Sequence, residues 1–319
     1  MKPTVYVTRH LPQEAYQELQ SACDVAIWDE EFPPPDDVIR ANLAGKDGLI
    51  CLLTDRIDAA LMDVAPGLRV ISQVAVGYDN IDIAAATERG IKVGHTPGVL
   101  TDATADFAFT LLLAAARRIG EAHDYVQAGK WETWGLTLLL GQEVRGQTLG
   151  IIGMGRIGQA LARRATGFEM QLLYHNRTRD LSAEKELNAS YRELDDLLRE
   201  SDFVSLHVSL TPNTEKLIDA RALRLMKPSA ILINTARGPV VDSEALYAAL
   251  RDGQIAYAAL DVTDPEPLPV DHKLLTLPNC LVTPHIASAT VTARTEMAQM
   301  AVANCIAGLR GEPLPHPVN

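Results

Sequence analysis

An arginine, a glutamate and a histidine stand at the ends of successive apolar runs in the second half of the chain. Arg237 follows A-I-L-I-N-T-A, Glu266 lies in the turn D-P-E-P-L-P after Y-A-A-L-D-V, and His285 closes C-L-V-T-P-H. In open α/β sheets ligands gather beyond the carboxyl ends of the strands, so the intervals of 29 and 19 residues let neighbouring strand ends deliver one residue each. Such a trio suits hydride exchange between an alcohol and a ketone that lies beside a carboxylate. Reduction leaves charge on the carbonyl oxygen and calls for a proton donor, the usual work of histidine, here His285. A neighbouring carboxylate, Glu266, orients the imidazole and favours its charged form. The planar fork of Arg237 matches a carboxylate and can polarise the ketone next to it. His207, in L-H-V-S-L-T-P, is also near a strand end and is a rival on chemistry alone. Glu266 between two prolines and Arg237 before Gly238 also have purely structural readings as turn residues.

A second constellation precedes this one. I-I-G-M-G-R-I-G places Gly153, Gly155 and Gly158 in G-x-G-x-x-G spacing, after a strand-like run and at the start of a helical pattern over 156–165. The first glycine permits the tight turn, the second admits a pyrophosphate to the backbone, and the third lets helix and strand pack closely, with the helix N-terminus facing the anion. The segment therefore predicts a dinucleotide site. About twenty residues on, an acid would accept the ribose 2′-hydroxyl of NAD, whereas an arginine suits the 2′-phosphate of NADP. The chain reads Y-H-N-R-T-R there, with Asn176, Arg177, Thr178 and Arg179 and only a late Asp180. This favours NADP(H), with NAD(H) as the second candidate, and a surface loop as the plain alternative.

The elements that must hold these groups follow from the alternation of short β-branched or aliphatic runs with helical patterns, which predicts an α/β protein with parallel sheets. Strand-like runs at 5–8, 25–28, 48–53, 70–74 and 91–93 form a first doubly wound unit, with helices at 13–21 and 36–43 started after prolines. A long helix over 101–118, with Gly120 and Gly129 breaking the chain beyond it, leads to six further runs at 148–153, 171–175, 203–208, 230–236, 257–262 and 280–286. Near-continuous apolar runs mean a sheet buried on both faces. The last helical pattern, 288–309, has no strand left to serve and is expected to return to the first unit. The domains then read 1–98 with 288–319, and 99–287. At roughly 150 residues per domain, the 319 residues agree with two.

Composition narrows the function classes. The net charge of −12 argues against broad binding of polyanions, so no nucleic-acid partner is expected. The most apolar stretch, 107–116, is bracketed by Asp106 and Arg117 and falls short of the ~20 residues of a membrane span, so no membrane partner is expected either. The four cysteines, Cys23, Cys51, Cys280 and Cys305, form no C-x-x-C pair. No metal site and no disulfide framework is signalled, and the protein reads as cytoplasmic.

Six segments together resemble the D-isomer-specific 2-hydroxyacid dehydrogenases: G-I-I-G-M-G-R-I-G-Q-A, V-A-V-G-Y-D-N-I-D (74–82), T-P-G-V-L-T-D-A-T-A-D (96–106), N-T-A-R-G (234–238), D-V-T-D-P-E-P-L (261–268) and T-P-H-I-A-S-A-T (283–290). The resemblance spans essentially the whole chain, and the closing R-G-E-P-L-P-H-P-V-N is similar to the glyoxylate reductase/hydroxypyruvate reductase branch. It implies a Rossmann-type cofactor domain, a smaller flavodoxin-like substrate domain and an interdomain cleft. It also implies Arg237, Glu266 and His285 as the catalytic set, His285 taking precedence over His207. By the same resemblance Leu52, Leu53, Val76 and Gly77 face the substrate together with Arg237 and His285, and Thr104, Arg156, Ile157, Thr211, Ala236 and Asp261 line the dinucleotide. A homodimer joined through the segment around 100–150 is implied too, with Trp134 reaching the neighbouring subunit. Three positions depart from the family pattern: His95 where Asn is common, Ala287 where Gly is common, and Thr263-Asp264 before Pro265 where an aromatic and Glu are usual; the extra methyl of Ala287 is expected to narrow the pocket. The expected activity is NADPH-preferring reduction of glyoxylate to glycolate and hydroxypyruvate to D-glycerate. Phosphoglycerate or D-lactate dehydrogenases, and the dinucleotide-sensing corepressors that share the fold, are the rival readings.

Overall fold

Two all-parallel sheets organise the computed structural model, in which residues 2–319 are described. The chain divides into a first unit, residues up to Leu100 together with Ala289–Asn319, and a second, Thr101–Ser288.

The first unit holds β1 (Thr4–Val7), β2 (Asp24–Ile27), β3 (Gly48–Cys51), β4 (Val70–Gln73) and β5 (Lys92–Gly94) in the order β2-β1-β3-β4-β5, the flavodoxin-like arrangement. Its helices begin where the chain forbids helix upstream: Pro12 precedes helix Gln13–Ala22, and Pro35 precedes Asp36–Leu43, whose first turn carries Asp36 and Asp37 against the positive end of the helix dipole. The carboxy-terminal helix Val291–Leu309 packs within this unit. Ala298, Ala301, Val302 and Cys305 are buried with Val5, Val7, Leu19, Ile50 and Val70 in one cluster, and the buried Ser72 hydroxyl donates to the Ala301 carbonyl at 2.7 Å.

The second unit holds β6 (Thr148–Ile152), β7 (Gln171–His175), β8 (Ser190–Tyr191), β9 (Phe203–Leu206), β10 (Ile231–Asn234), β11 (Tyr257–Leu260) and β12 (Cys280–Val282) in the order β12-β11-β10-β9-β6-β7-β8. The chain reverses direction across the sheet between β6 and β9, the switch point where a doubly wound sheet opens a crevice. Register aligns the carboxyl ends. Ile152 stands opposite both His175 and Leu206, Asn234 opposite both Leu206 and Leu260, and Leu260 opposite Val282. The residues that follow each strand therefore emerge along one edge.

Two expectations need correction. The second sheet has seven strands rather than six, because β8 is a two-residue edge strand too short to show a periodic pattern. The helix expected over 101–118 ends at Ala116 and a second begins at Ile119, with Arg118 between them in the left-handed conformation at φ 53°. That conformation is unfavourable for a residue with a Cβ. It is held by a bidentate pair from Arg118 to Glu121 at 2.8 and 2.6 Å, and Gly120, expected to break the chain, lies inside the second helix.

Candidate active site

The glycine loop leaves β6 at its carboxyl end. Gly153 has φ 101° and lies against the His207 carbonyl, which a Cβ would approach to 2.6 Å. A Cβ on Gly158 would stand 2.2 Å from the Gly153 carbonyl, so both positions require glycine. Gly155 instead faces open space and caps helix Arg156–Thr166, which lets an anion reach its N–H and the helix N-terminus. This cradle, which side chains would fill, fits the diphosphate of a dinucleotide. Asn176, just past β7, fastens the loop by accepting from the Met154 N–H at 2.7 Å. Arg156 is exposed and Ile157 is half-buried against the core. Thr104 is buried in helix Thr101–Ala116, which packs on Arg156–Thr166.

Beyond β7, Arg177 and Thr178 are exposed, and Arg177 makes no ion pair among the described residues. Arg179 is engaged elsewhere, in a bidentate pair with Glu184 at 2.6 and 2.8 Å. That guanidinium, with the Tyr174 hydroxyl, holds the Glu184 carboxyl down to about 2. The late acid, Asp180, caps helix Leu181–Leu187 by accepting from Ser182 and Ala183 N–H. Only Arg177 of the two arginines is therefore left for an anion in this segment.

Three turns beyond β10, β11 and β12 interlock. Arg237 opens the short 3-10 turn Gly238–Val240. Its backbone is set by the buried Asn234, which donates to the Arg237 carbonyl at 2.9 Å and accepts from Ala236 N–H at 3.0 Å. Gly238 meets the next turn so closely that a Cβ would lie 1.9 Å from the Thr263 carbonyl. In that turn the Thr263 hydroxyl donates to the Pro265 carbonyl at 2.8 Å, and Thr263 N–H reaches Glu266 Oε2 at 3.4 Å. Glu266 Oε1 then lies 2.5 Å from His285 Nδ1. The register thus brings the Glu266 and His285 side chains together and packs the Arg237 turn onto the Glu266 turn.

Asp261, expected along the dinucleotide, is bonded to the turn that carries His285. It is 1 % exposed, and its Oδ1 accepts from the Thr283 hydroxyl (2.6 Å) and Ile286 N–H (2.9 Å) while Oδ2 accepts from Ala287 N–H (2.7 Å). Its carbonyl takes the His285 N–H at 2.9 Å. The carboxylate is therefore occupied in shaping the histidine turn, where His285 sits at φ 55°. Ala287 is buried in that turn. Thr211 is exposed and bonded to Thr214 Oγ1 at 3.0 Å, and Ala236 packs on the core below β10. His207 follows β9 with Nε2 2.8 Å from the Ser205 hydroxyl. Burial pushes its imidazole down to about 4, which makes it a poor proton donor near neutral pH.

In the first unit the loops after β3 and β4 carry Leu52, Leu53, Val76 and Gly77. The Leu52 N–H donates to Asp55 Oδ2 at 2.7 Å and its carbonyl accepts from Asn80 Nδ2 at 3.1 Å. The carbonyls of Val76 and Gly77 are held by His95 Nδ1 (2.9 Å) and Gln73 Nε2 (3.3 Å). Asn80, Gln73, Asp55 and Asn234 were not singled out from sequence; a polar residue inside or just after an apolar run was the available signal.

Residues 109–287 match the family described as "D-isomer specific 2-hydroxyacid dehydrogenase, NAD binding domain". The chain is 52% identical over 320 residues to a glyoxylate reductase of Korarchaeum cryptofilum, covering 100% of this chain and 96% of that one. A Thermus thermophilus protein of known crystal structure is 49% identical and superposes with a TM-score of 0.93, over 99% of this chain and 100% of that one. The NADPH-dependent glyoxylate/hydroxypyruvate reductase of Sinorhizobium meliloti, solved with NADP and malonate, is 32% identical with a TM-score of 0.87, over 100% and 97% of the two chains. With the glycine cradle at the switch point and the Glu266–His285 pair on the same edge, the chain belongs to the D-isomer-specific 2-hydroxyacid dehydrogenases.

Proposed function

We propose that this dehydrogenase reduces small 2-oxo acids, glyoxylate first and hydroxypyruvate second, with NADPH preferred over NADH. The observation that carries the reading is the 2.5 Å contact of Glu266 with His285, on the same sheet edge as the glycine cradle. It accords with full-length relatives that are named glyoxylate reductases. Because a carboxylate only accepts, Nδ1 of His285 carries the shared proton and Nε2 is left to serve the substrate oxygen. His285 donates a proton to the oxygen as charge develops there, and Glu266 offsets the positive ring before the transfer. Arg237 holds the carboxylate and polarises the ketone. In the first unit, the N–H groups of Leu53, Val76 and Gly77 receive the acid's carboxylate. The reduced dinucleotide, with its diphosphate held at Gly153, Gly155 and Gly158 and with Arg156, Ile157, Thr104, Asn176, Thr178, Thr211 and Ala236 along its length, would supply the hydride when bound.

The NADPH preference rests on exposed Arg177 and on the diversion of Asp180 into a helix cap. The structurally similar Sinorhizobium reductase was solved with NADP. A homodimer is supported by apolar side chains on one segment of the second unit: Ile119, Val126, Trp131, Trp134, Leu136 and Leu140 are all more than half exposed, and clustered exposed apolar side chains mark interaction surfaces. Sedimentation that gave a monomer at micromolar concentration would remove this part of the reading. No described helix is long and apolar enough to cross a membrane and all four cysteines are free, in keeping with a cytoplasmic enzyme.

Steady-state rates for glyoxylate, hydroxypyruvate, pyruvate and phosphohydroxypyruvate, each with NADPH and NADH, test the assignment. Glyoxylate with NADPH should give the highest kcat/KM. A preference for phosphohydroxypyruvate or pyruvate would move the enzyme to the phosphoglycerate or D-lactate type, and no turnover of any would favour a dinucleotide-sensing binding protein.

A further inference from the structure

Asn80 stands where the two loops of the first unit meet, and every polar group of its amide is engaged. Nδ2 donates to the Leu52 carbonyl at 3.1 Å and to the Asp55 carbonyl at 2.7 Å, while Oδ1 accepts from Gln73 Nε2 at 2.8 Å. Its backbone carbonyl takes the Ile57 N–H at 2.9 Å. Gln73, at the end of β4 and fully buried, also reaches the Gly77 carbonyl and accepts from the Cys51 thiol at 3.1 Å. Asp55, 2 % exposed, closes the 52–55 loop through the Leu52 N–H and the Thr8 hydroxyl at 2.5 Å. His95 secures the Val76 carbonyl and rests edge-on against Tyr78. Side chains thus grip the carbonyls of 52, 55, 76 and 77. The N–H groups of Leu53, Val76 and Gly77 make no hydrogen bond among the described residues.

A peptide plane gripped by its carbonyl cannot rotate, so the N–H of the following residue is set before a ligand arrives: that of Leu53 by the Leu52 carbonyl on Asn80, that of Gly77 by the Val76 carbonyl on His95, and that of Val76 by the Ala75 carbonyl, which accepts from the Thr96 N–H at 2.9 Å. We propose that Asn80, seconded by Gln73, is the positioning residue of the carboxylate subsite: it joins the two loops so that their free N–H groups converge on the acid group of the substrate. The inference rests on the reading of the protein as a 2-oxo acid reductase and deepens it. The device acts on substrate affinity alone, because the glycine cradle for the dinucleotide belongs to the second unit.

The test uses the NADPH-loaded enzyme and its Asn80→Ala variant, with KM and kcat for glyoxylate and titration with oxalate as a carboxylate probe. Misaligning a preorganised donor set should raise KM and the oxalate Kd together by roughly 10- to 100-fold, with a smaller change in kcat and unchanged NADPH affinity. A folded variant with wild-type KM and oxalate affinity overturns the proposal, as does a parallel loss of NADPH affinity. Should Asn80→Ala not fold, Gln73→Met, which keeps the volume and removes the grip on Gly77 and Asn80, carries the same expectation and the same overturning results. If the wild type reduces no 2-oxo acid, the functional reading falls by itself, and the variant's oxalate affinity relative to wild type still decides the role of Asn80.

Discussion

Nδ1 of His285 and Oε1 of Glu266 lie 2.5 Å apart although 19 residues separate them, with the two side chains 22 and 33 % exposed. The pair has one donor and one acceptor, so a single ring tautomer is selected. Replacing His285 with Ala should lower kcat by roughly 10²- to 10⁴-fold, with NADPH affinity measured by fluorescence titration unchanged. Glu266→Gln keeps the shape but loses the charge, and should retain more activity than His285→Ala. Near-wild-type turnover in the histidine variant would discard the mechanism.

Asp261 should govern both folding and turnover. Its carboxylate accepts one hydroxyl and two backbone N–H groups of the 283–287 turn, and Asp261→Ala leaves those N–H groups buried and unpaired. We expect a loss of about 2–5 kcal/mol in urea unfolding, and a fall in kcat that exceeds any rise in KM for the oxo acid. Unfolding at the wild-type urea midpoint would show that the turn holds its shape without the carboxylate.

Arg177 should decide between the two nicotinamide dinucleotides. Arg177→Asp replaces a donor suited to a 2′-phosphate by an acceptor suited to a 2′-hydroxyl. The KM for NADPH should rise by at least about tenfold, the order expected for a charge-assisted contact, while that for NADH falls or stays level. Unchanged NADPH kinetics would remove the arginine from the site.

The interlock at Gly238 should not tolerate a methyl. With the Thr263 carbonyl 1.9 Å from the Cβ position, Gly238→Ala must push apart the turns that carry Arg237 and Glu266. A cost of about 1–3 kcal/mol for overpacking should appear as a lowered Tm together with reduced kcat/KM. A variant that melts and turns over like the wild type would show the turns to be separable.

His207 should make stability depend on pH. Burial lowers its imidazole from the ordinary 6.5 to about 4 in the folded chain. Between those values the unfolded chain binds a proton that the folded chain refuses. The contribution is therefore intact above pH 6.5 and is lost as pH falls toward 4, by up to about 1.4 kcal/mol per pH unit. His207→Asn should flatten this part of the stability profile in urea titrations; an unchanged slope would assign it to other groups.

Much of the molecule was legible before its coordinates. Parallel α/β architecture, the glycine turn and the strand-end positions of Arg237, Glu266 and His285 all follow from local pattern, because apolar period, turn chemistry and motif spacing are short-range properties. Other features escaped for physical reasons. β8 has two residues and no period to read. The break at Arg118 is stabilised by a side-chain pair with Glu121 rather than by a glycine, and so carries no helix-stop signal. The work of Asp261 and Asn80 depends on partners brought near by sheet register and loop packing, at separations of 22 to 28 residues for Thr283 and Leu52. The sequence by itself determined which groups could do the chemistry and the class of fold that displays them. Tertiary structure alone decided which buried polar side chains are committed to holding turns and which backbone N–H groups are left free, because a hydrogen bond assigns its partners through distance and direction, and these exist only once the strands are in register.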